Sequence, residues 1–273
     1  MQNEKKFSII LPVLNEAENL KILVPKINTL FLSENYFIEI IIVDDNSTDN
    51  ISEVIHNLKD LNSSKFMVSY HRRESKNSLP LSILYGIENS KYPIVMWLDA
   101  DNSMSGEAVF SLTKEYFAST FDTLIGSRYV NGGGYKGIKV VGETSLFQAI
   151  QNVQKSNDTI SGVLLSLVFN KLLVIFSNSE IKDMTSGFII INKKFLDRSD
   201  FEGFTYGEYF IKVAHSIQKQ NLSFKEIGYL CEPRIYGESK TGTNLIKLII
   251  RGLGYLKISL KFRLWKYMII MAN

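Results

Sequence analysis

Two carboxylates one residue apart close an apolar run in Ile94-Val95-Met96-Trp97-Leu98-Asp99-Ala100-Asp101. The run is short and β-rich, which predicts a buried strand. Acids at its end stand where a parallel α/β sheet holds its ligand, outside the carboxyl ends of the strands. Residues two apart on an extended chain point to one side, so Asp99 and Asp101 can offer hard oxygen donors together. That suits Mg²⁺ or Mn²⁺. The same residues also suit a solvated Asx turn. A second acid cluster, Asp44-Asp45-Asn46-Ser47-Thr48-Asp49, follows the apolar run Ile38 to Val43. Asn15 and Glu16 follow Phe7 to Leu11 and Pro12.

The elements that must position these groups can be read from spacing. Phe7 to Leu11, Ile38 to Val43, Phe66 to Tyr70 and the run into Asp99 read as strands. Between them, Leu20, Leu23, Val24, Ile27, Leu30 and Phe31 keep a helical period, as do Ile51, Val54, Ile55 and Leu58, then Leu81, Leu84, Tyr85 and Ile87. Asn15 with Glu18 resembles a capping box, Ser47 or Thr48 can cap the second helix, and Pro25 should kink or interrupt the first. Strand and helix alternate, so the fold class is α/β with a mostly parallel sheet flanked by helices. Ser105 can cap a helix carrying Val109, Leu112, Tyr116 and Phe117. Asp122 to Gly126 and Ile189 to Ile191 read as further strands, with a strand-like run around Ile227 to Leu230. Gly132-Gly133-Gly134 marks a mobile loop or a close backbone approach.

Composition excludes several classes. The 273 residues are 45% hydrophobic and 22% charged, with net charge +3, so no global basic field points to nucleic acid. A single cysteine, Cys231, excludes an internal disulfide, and no Cys/His cluster offers a zinc site; a reducing, cytoplasmic setting is expected. Met1 to Lys6 is polar and does not read as a secretory signal. The most apolar stretch, Ile160 to Phe176, is broken by Asn170 and Lys171 and predicts an amphipathic or buried helix. No Gly-x-Gly-x-x-Gly follows the first strand, which argues against a glycine-rich pyrophosphate loop and leaves a nucleotide diphosphate held by a metal.

Six motifs occur in order: Pro12-x-x-Asn15-Glu16, Val43-Asp44-Asp45-x-Ser47-x-Asp49, Asp99-x-Asp101, Gly126-Ser127-Arg128-Tyr129, Asp183-x-Thr185-Ser186-Gly187-Phe188 and Tyr236-Gly237-Glu238-Ser239-Lys240. Together they resemble family 2 glycosyltransferases of the GT-A fold, and most of all the dolichyl- or polyprenyl-phosphate mannosyltransferase branch. The resemblance implies inverting transfer of a hexose from a nucleotide-diphosphate sugar (GDP-mannose or a UDP-hexose) to a polyprenyl phosphate or lipid-linked acceptor. A saccharide hydroxyl is the alternative acceptor, and a non-catalytic nucleotide-sugar-binding protein is the alternative of another class. By this resemblance Pro12, Asn15, Glu16 and Asp45 would contact the nucleoside, with Asp44 beside them. Asp99, Ala100 and Asp101 would lie on the donor. Asp99 and Asp101 would hold the cation, with Ser103 in the place of a glutamine that often completes the motif. Arg128 would face the acceptor, Glu208 or Asp183 would be the candidate base were the acceptor a sugar hydroxyl, and Arg234 and Lys240 would cover the diphosphate. Asn77-Ser78-Leu79-Pro80 replaces a glycine-bearing loop. Only Lys136, Lys139, Lys155, Lys171 and Lys182 supply cations between Arg128 and Asp183.

The expected organisation is a catalytic domain over residues 1–243, with a helical acceptor or interface insert near 140–182, then a basic amphipathic segment over 244–273. That last segment mixes Leu245, Leu248, Leu253, Leu256, Leu260 and Trp265 with Lys247, Arg251, Lys257, Lys261, Arg263 and Lys266. Such amphipathic interfacial helices suit an anionic membrane surface, so peripheral attachment to the cytoplasmic face is expected.

Overall fold

The computed structural model describes residues 4–135, 138–139, 160–236 and 252–263. Its centre is a seven-stranded sheet of β1 (Lys5–Val13), β2 (Tyr36–Asp44), β3 (Phe66–Arg72), β4 (Ile94–Trp97), β5 (Thr123–Ser127), β8 (Ile189–Asn192) and β9 (Phe224–Gly228), in the order β3-β2-β1-β4-β8-β5-β9. All neighbours pair in parallel except β8, which runs antiparallel to both β4 and β5. A small second sheet joins β6 (Gly134–Tyr135) to β7 (Ile138–Lys139) and β10 (Leu230–Cys231). The helices are α1 (Ala17–Phe31), α2 (Ile51–Leu58), α3 (Leu79–Glu88), α4 (Gly106–Ala118), α5 (Ile160–Ser177), α6 (Tyr209–Lys219) and α7 (252–263).

The two-residue period of the strands divides the core. Ile38, Ile40 and Ile42 of β2 join Phe7, Ile9 and Leu11 of β1 on one face, against α1, α2 and α4. Ile41 and Val43 join Ile10, Val95 and Trp97 on the other, against α3 and α6. This is why Ile38 to Val43 reads as a nearly all-apolar run: both faces of β2 are covered. The one charged residue inside it, Glu39, accepts a 2.6 Å bond from Ser8 Oγ and one from the Lys91 amide, which ties the loop before β4 to the sheet.

The interruption and the caps expected for α1 and α2 are not found. The first helix continues through Pro25. Proline removes only one hydrogen bond of the helix, and the buried stripe of Leu20, Leu23, Val24 and Ile27 holds both halves on the sheet. The Asn15–Glu18 capping box does not form, and neither Ser47 nor Thr48 caps α2. Those groups instead lace two loops together. Asn15 N donates to Ser47 Oγ (2.8 Å), Thr48 N donates to Asn15 Oδ1 (2.7 Å), and Asp49 accepts the Ala17 amide at the start of α1 (2.9 Å). Ser105 does cap α4, accepting from the Ala108 amide.

The glycine run resolves as a close backbone approach. A Cβ at Gly133 would stand 2.7 Å from the carbonyl oxygens of Ser127 and Arg128, and one at Gly228 would overlap the Asn131 carbonyl.

Candidate active site

Strand order reverses between β1 and β4, which opens a crevice at their carboxyl ends. The chain leaves β1, β2 and β4 through Asn15, Asn46 and Asn102, at φ of 57°, 69° and 63°. Asparagine tolerates this left-handed conformation better than most residues, and it lets each strand turn sharply at the crevice.

Glu16 stands at the start of α1, and Asp99 and Asp101 follow β4. Asp101 is 4% exposed and Glu16 8%. The loop 232–236, which follows β10, places Arg234 between them. Its Nη2 lies 2.8 Å from Asp101 Oδ2 and its Nη1 3.8 Å from Glu16 Oε1. Asp101 Oδ1 accepts the Ser103 amide at 2.9 Å, so Ser103 meets the acid through its backbone. Asn19 knits the group together. Its Nδ2 donates to Glu16 Oε2 (2.6 Å) and to the Tyr236 carbonyl (3.3 Å), and its own carbonyl accepts from Asn102 Nδ2 (3.0 Å). Asp99 keeps some solvent contact, but burial, and then the Asp101 charge, push its carboxyl up to about 7. Trp97 and Tyr209 lie beneath, with Trp97 Nε1 donating to Tyr209 Oη at 2.9 Å. Burial, then the Asp99 charge, hold Tyr209 well above its ordinary range, so it remains a phenol.

Do these residues fit Mg²⁺ or Mn²⁺? Both ions accept one or two carboxylates and complete their shell with water and substrate phosphate. Asp99 and Asp101 provide that donor set, and the Arg234 guanidinium already stands at Asp101 as a cation. Among the described residues no three His, Cys, Asp or Glu side chains converge as a closed cage. The donors therefore fit an ion shared with a ligand.

The acids after β2 form a second group. Asp44 accepts Tyr70 Oη (2.7 Å) and the Ser47 amide (2.8 Å). Asp45 is paired with buried Arg73 at 2.5 Å and accepts the Ser78 amide at 2.6 Å. Arg73 also donates to Ser82 Oγ (2.7 Å) and the Ser78 carbonyl (3.2 Å). Burial pushes the Asp45 carboxyl above the usual range, against the Ser78 N–H and the Arg73 charge, which both favour ionisation. Thus the loop Asn77-Ser78-Leu79-Pro80 docks on Asp45 through a serine amide.

Arg128 follows β5 and is bound from several sides. Its backbone N (3.0 Å) and Nε (2.8 Å) donate to Asp183 Oδ2, and its Nη2 donates to Asp183 Oδ1 and Thr185 Oγ1, both at 2.7 Å. Burial works against its charge, but Asp183 more than offsets this and holds the guanidinium well above its usual range. The rest of the Asp183 motif joins strands: Ser186 Oγ donates to the Gly126 carbonyl, and Phe188 packs where a Cβ on Gly126 would stand.

Of the residues singled out in the sequence, Glu16, Asp99, Asp101 and Arg234 come together, with Ser103 and Ala100 in the same turn. Pro12 pairs with Val43 at the ends of β1 and β2, and the Asp45 amide donates to the Val13 carbonyl, which sets Asp44 and Asp45 beside that group. Glu208 precedes α6 and accepts the Thr205 amide (3.0 Å). Lys240 lies outside the described residues. Asn19, Arg73 and Tyr209 were not foreseen. Asn19 stands at i+3 from Glu16 on the buried stripe of α1, a polar residue where an apolar one fits the period. Arg73 and Tyr209 are joined to Asp45 and Trp97 across long separations that no local spacing encodes.

Residues 8–199 match the model of glycosyl transferase family 2. The chain belongs to that family. Over 128 residues it is 35% identical to the dolichol-phosphate mannosyltransferase of Pyrococcus furiosus, covering 47% of this chain and 34% of that protein. Over 189 residues it is 26% identical to the poly-β-1,6-N-acetyl-D-glucosamine synthase of Staphylococcus epidermidis, covering 67% of this chain and 42% of that one. The matches thus span well under half the length of these curated relatives. The family 2 chain also shares its fold with glucosyl-3-phosphoglycerate synthase from Mycobacterium tuberculosis, solved with Mn²⁺, UDP and glucosyl-3-phosphoglycerate. The TM-score is 0.63 at 14% identity, over 94% of this chain and 80% of that one. A second structure of that enzyme, with Mg²⁺ and UDP, gives 0.60 at 12%, over 94% and 79%. The fold is GT-A.

Proposed function

We propose that this family 2 protein transfers a hexose, with inversion, from a nucleotide-diphosphate sugar to a polyprenyl phosphate at a membrane surface. The observation that carries the reading is the cluster of Glu16, Asp99 and Asp101 around Arg234 at the carboxyl ends of β1 and β4. Its chemistry suits a donor whose leaving group is a diphosphate. A divalent ion held by Asp99 and Asp101 would neutralise the charge that develops on that group. Arg234 would bond oxygens of the same diphosphate bidentately. Asp45, fixed by Arg73 and Ser78, and Asp44, Pro12 and Asn15 beside it form the nucleoside end. An acceptor phosphate is already an anion at neutral pH. Its oxygen attacks the anomeric carbon as the bond to the diphosphate breaks, and no side chain has to remove a proton. This accords with Asp183, which is committed to Arg128, and with Glu208, which is bound to its own turn.

The likeness to the Pyrococcus mannosyltransferase supports a lipid phosphate acceptor. So do the exposed residues of α5 and α7, which meet through Phe169 and Tyr255. Val168, Leu172 and Ile175 stand exposed with Lys171 on α5, and Leu253 and Leu260 with Lys257 and Lys261 on α7. Apolar residues interleaved with lysines suit an anionic bilayer surface. No helix among the described residues is long and apolar enough to cross a membrane.

A second reading, transfer to a saccharide hydroxyl, is favoured by the commitment of Arg128 to Asp183 and by the likeness to the polysaccharide synthase. The deciding assay supplies radiolabelled GDP-mannose, UDP-glucose or UDP-N-acetylglucosamine with Mn²⁺, and either undecaprenyl phosphate in vesicles or an oligosaccharide. Label in an acid-labile lipid phosphodiester supports the first reading, and label in a glycoside supports the second. Asp101→Asn should abolish either. Removing even an outer partner of a metal ligand costs about 10–100-fold, so loss of the ligand itself should cost at least ~100-fold in turnover.

A further inference from the structure

We infer that Arg234 stands in for the divalent cation while the donor is absent, and that it makes cation and nucleoside diphosphate bind cooperatively. The inference rests on the reading of Asp99 and Asp101 as the cation site.

The ion pair of Asp101 among the described residues runs to Arg234 alone, through Oδ2 at 2.8 Å, while Oδ1 is taken by the Ser103 amide. Both oxygens of the acid are therefore engaged. A guanidinium at hydrogen-bond distance and an inner-sphere Mg²⁺ or Mn²⁺ at about 2.0–2.1 Å cannot share one carboxylate lone pair. An ion entering at Oδ2 sets two positive charges against each other across one oxygen, which drives Arg234 off the acid.

The loop that carries Arg234 is fastened to the same turn. Glu232 N donates to the Ser103 carbonyl at 2.9 Å, and the Tyr236 carbonyl accepts from Asn19 Nδ2, which also holds Glu16. Arg234 is thus returned to the acids by a backbone anchored on either side of it. Its side chain is 26% exposed, against 5% for Asp101, so part of Arg234 remains open to an incoming ligand. A diphosphate arriving there offers it a bidentate anionic partner in place of Asp101. Moving onto the diphosphate frees Asp101 Oδ2 for the cation, and the cation in turn releases Arg234 to the diphosphate. By linkage each ligand must raise the affinity for the other by the same factor. Part of that factor comes from direct cation–phosphate bonding. The part assigned here is displacement of Arg234, and it disappears when the arginine does.

The test is equilibrium binding of Mn²⁺ to the full chain, followed by electron paramagnetic resonance of the free ion. It is run with no nucleotide, with UDP and with GDP, on the wild type, Arg234→Met and Arg234→Lys. Without nucleotide, Arg234→Met should bind Mn²⁺ at least tenfold more tightly than the wild type. The enhancement of Mn²⁺ binding by whichever diphosphate binds should shrink at least tenfold. Arg234→Lys, which keeps the charge but not the fork, should fall between. Thermal melts identify a variant that has lost its fold, in which case the lysine variant decides. Equal or weaker Mn²⁺ binding without nucleotide in a folded variant overturns the role of Arg234 and leaves the cation site standing. Absence of Mn²⁺ binding in all three proteins, with or without diphosphate, overturns the cation-site reading and this inference with it.

Discussion

Replacing Asp183 by asparagine should leave Arg128 charged and enclosed without its buried carboxylate partner. Asp183 is fully buried and the Arg128 side chain is 12% exposed, so water cannot take over the lost charge. Breaking a buried pair from one side costs about 3–5 kcal/mol. At roughly 2–4 °C per kcal/mol for a chain somewhat below this size, the melting temperature should drop by about 6–20 °C. Arg128→Met leaves the opposite charge stranded and should cost a comparable amount. The double variant removes both charges, and its loss should fall short of the sum of the singles by about 2 kcal/mol. Urea unfolding of the four proteins measures the cycle. Additivity within ~0.5 kcal/mol would refute the pair as an energetic unit. A second result would refute the reading of Asp183 more directly: unchanged stability with abolished turnover would make it a base acting on the acceptor.

Arg73→Met should strand Asp45 in the same way, at about 3–5 kcal/mol, and should weaken nucleotide binding, since Asp45 loses the group that orients it; urea unfolding with nucleotide titration reads both. Gly228→Ala should cost about 1–3 kcal/mol by overlap with the Asn131 carbonyl, as thermal unfolding would show, because backbone on both sides leaves nothing to yield. Asp200 gives a pH test away from the crevice. Burial pushes its carboxyl above the usual range, against its bonds from Ser216 and the Asp197 amide and against the Lys212 charge. The folded state therefore holds this proton more tightly than the unfolded chain. Its contribution to stability is complete below the ordinary aspartate range near 3.8 and is lost as pH rises through the raised value. Asp200→Asn should flatten that part of the stability–pH curve measured by urea unfolding.

The parallel half of the fold was legible because its signals are local. Each of β1, β2 and β4 is an apolar run ended by acids or by proline, and the helices between them keep their period. What the sequence obscured follows from competition between partners. Asn15, Ser47 and Asp49 are good capping residues, yet each serves the neighbouring loop, since loops that meet at a crevice must satisfy one another's amides. The antiparallel setting of β8 has no signature in Ile189 to Asn192, because a strand covered on both faces looks the same in either direction. From its own surroundings in the sequence Arg234 read as a basic residue in a loop, and the resemblance alone put it over the diphosphate. Its place between Glu16 and Asp101 depends on closure across more than a hundred residues.

The position of β8 also bears on how the chain is built. β3, β2, β1 and β4 come from the first hundred residues and carry Glu16, Asp45, Asp99 and Asp101 on one contiguous layer. As the ribosome releases the chain from its N-terminus, this layer can assemble while the rest is still being made. It then ends in β4, whose outer edge has no neighbour until residues 189–192 arrive, and β5 waits for the same strand. An open apolar edge is a template for pairing with another chain. Synthesis from Trp97 to Asn192 is therefore an interval of exposure to aggregation. A chaperone that binds nascent chains, or slow translation placed after β8 and not before it, would have its largest effect on yield there.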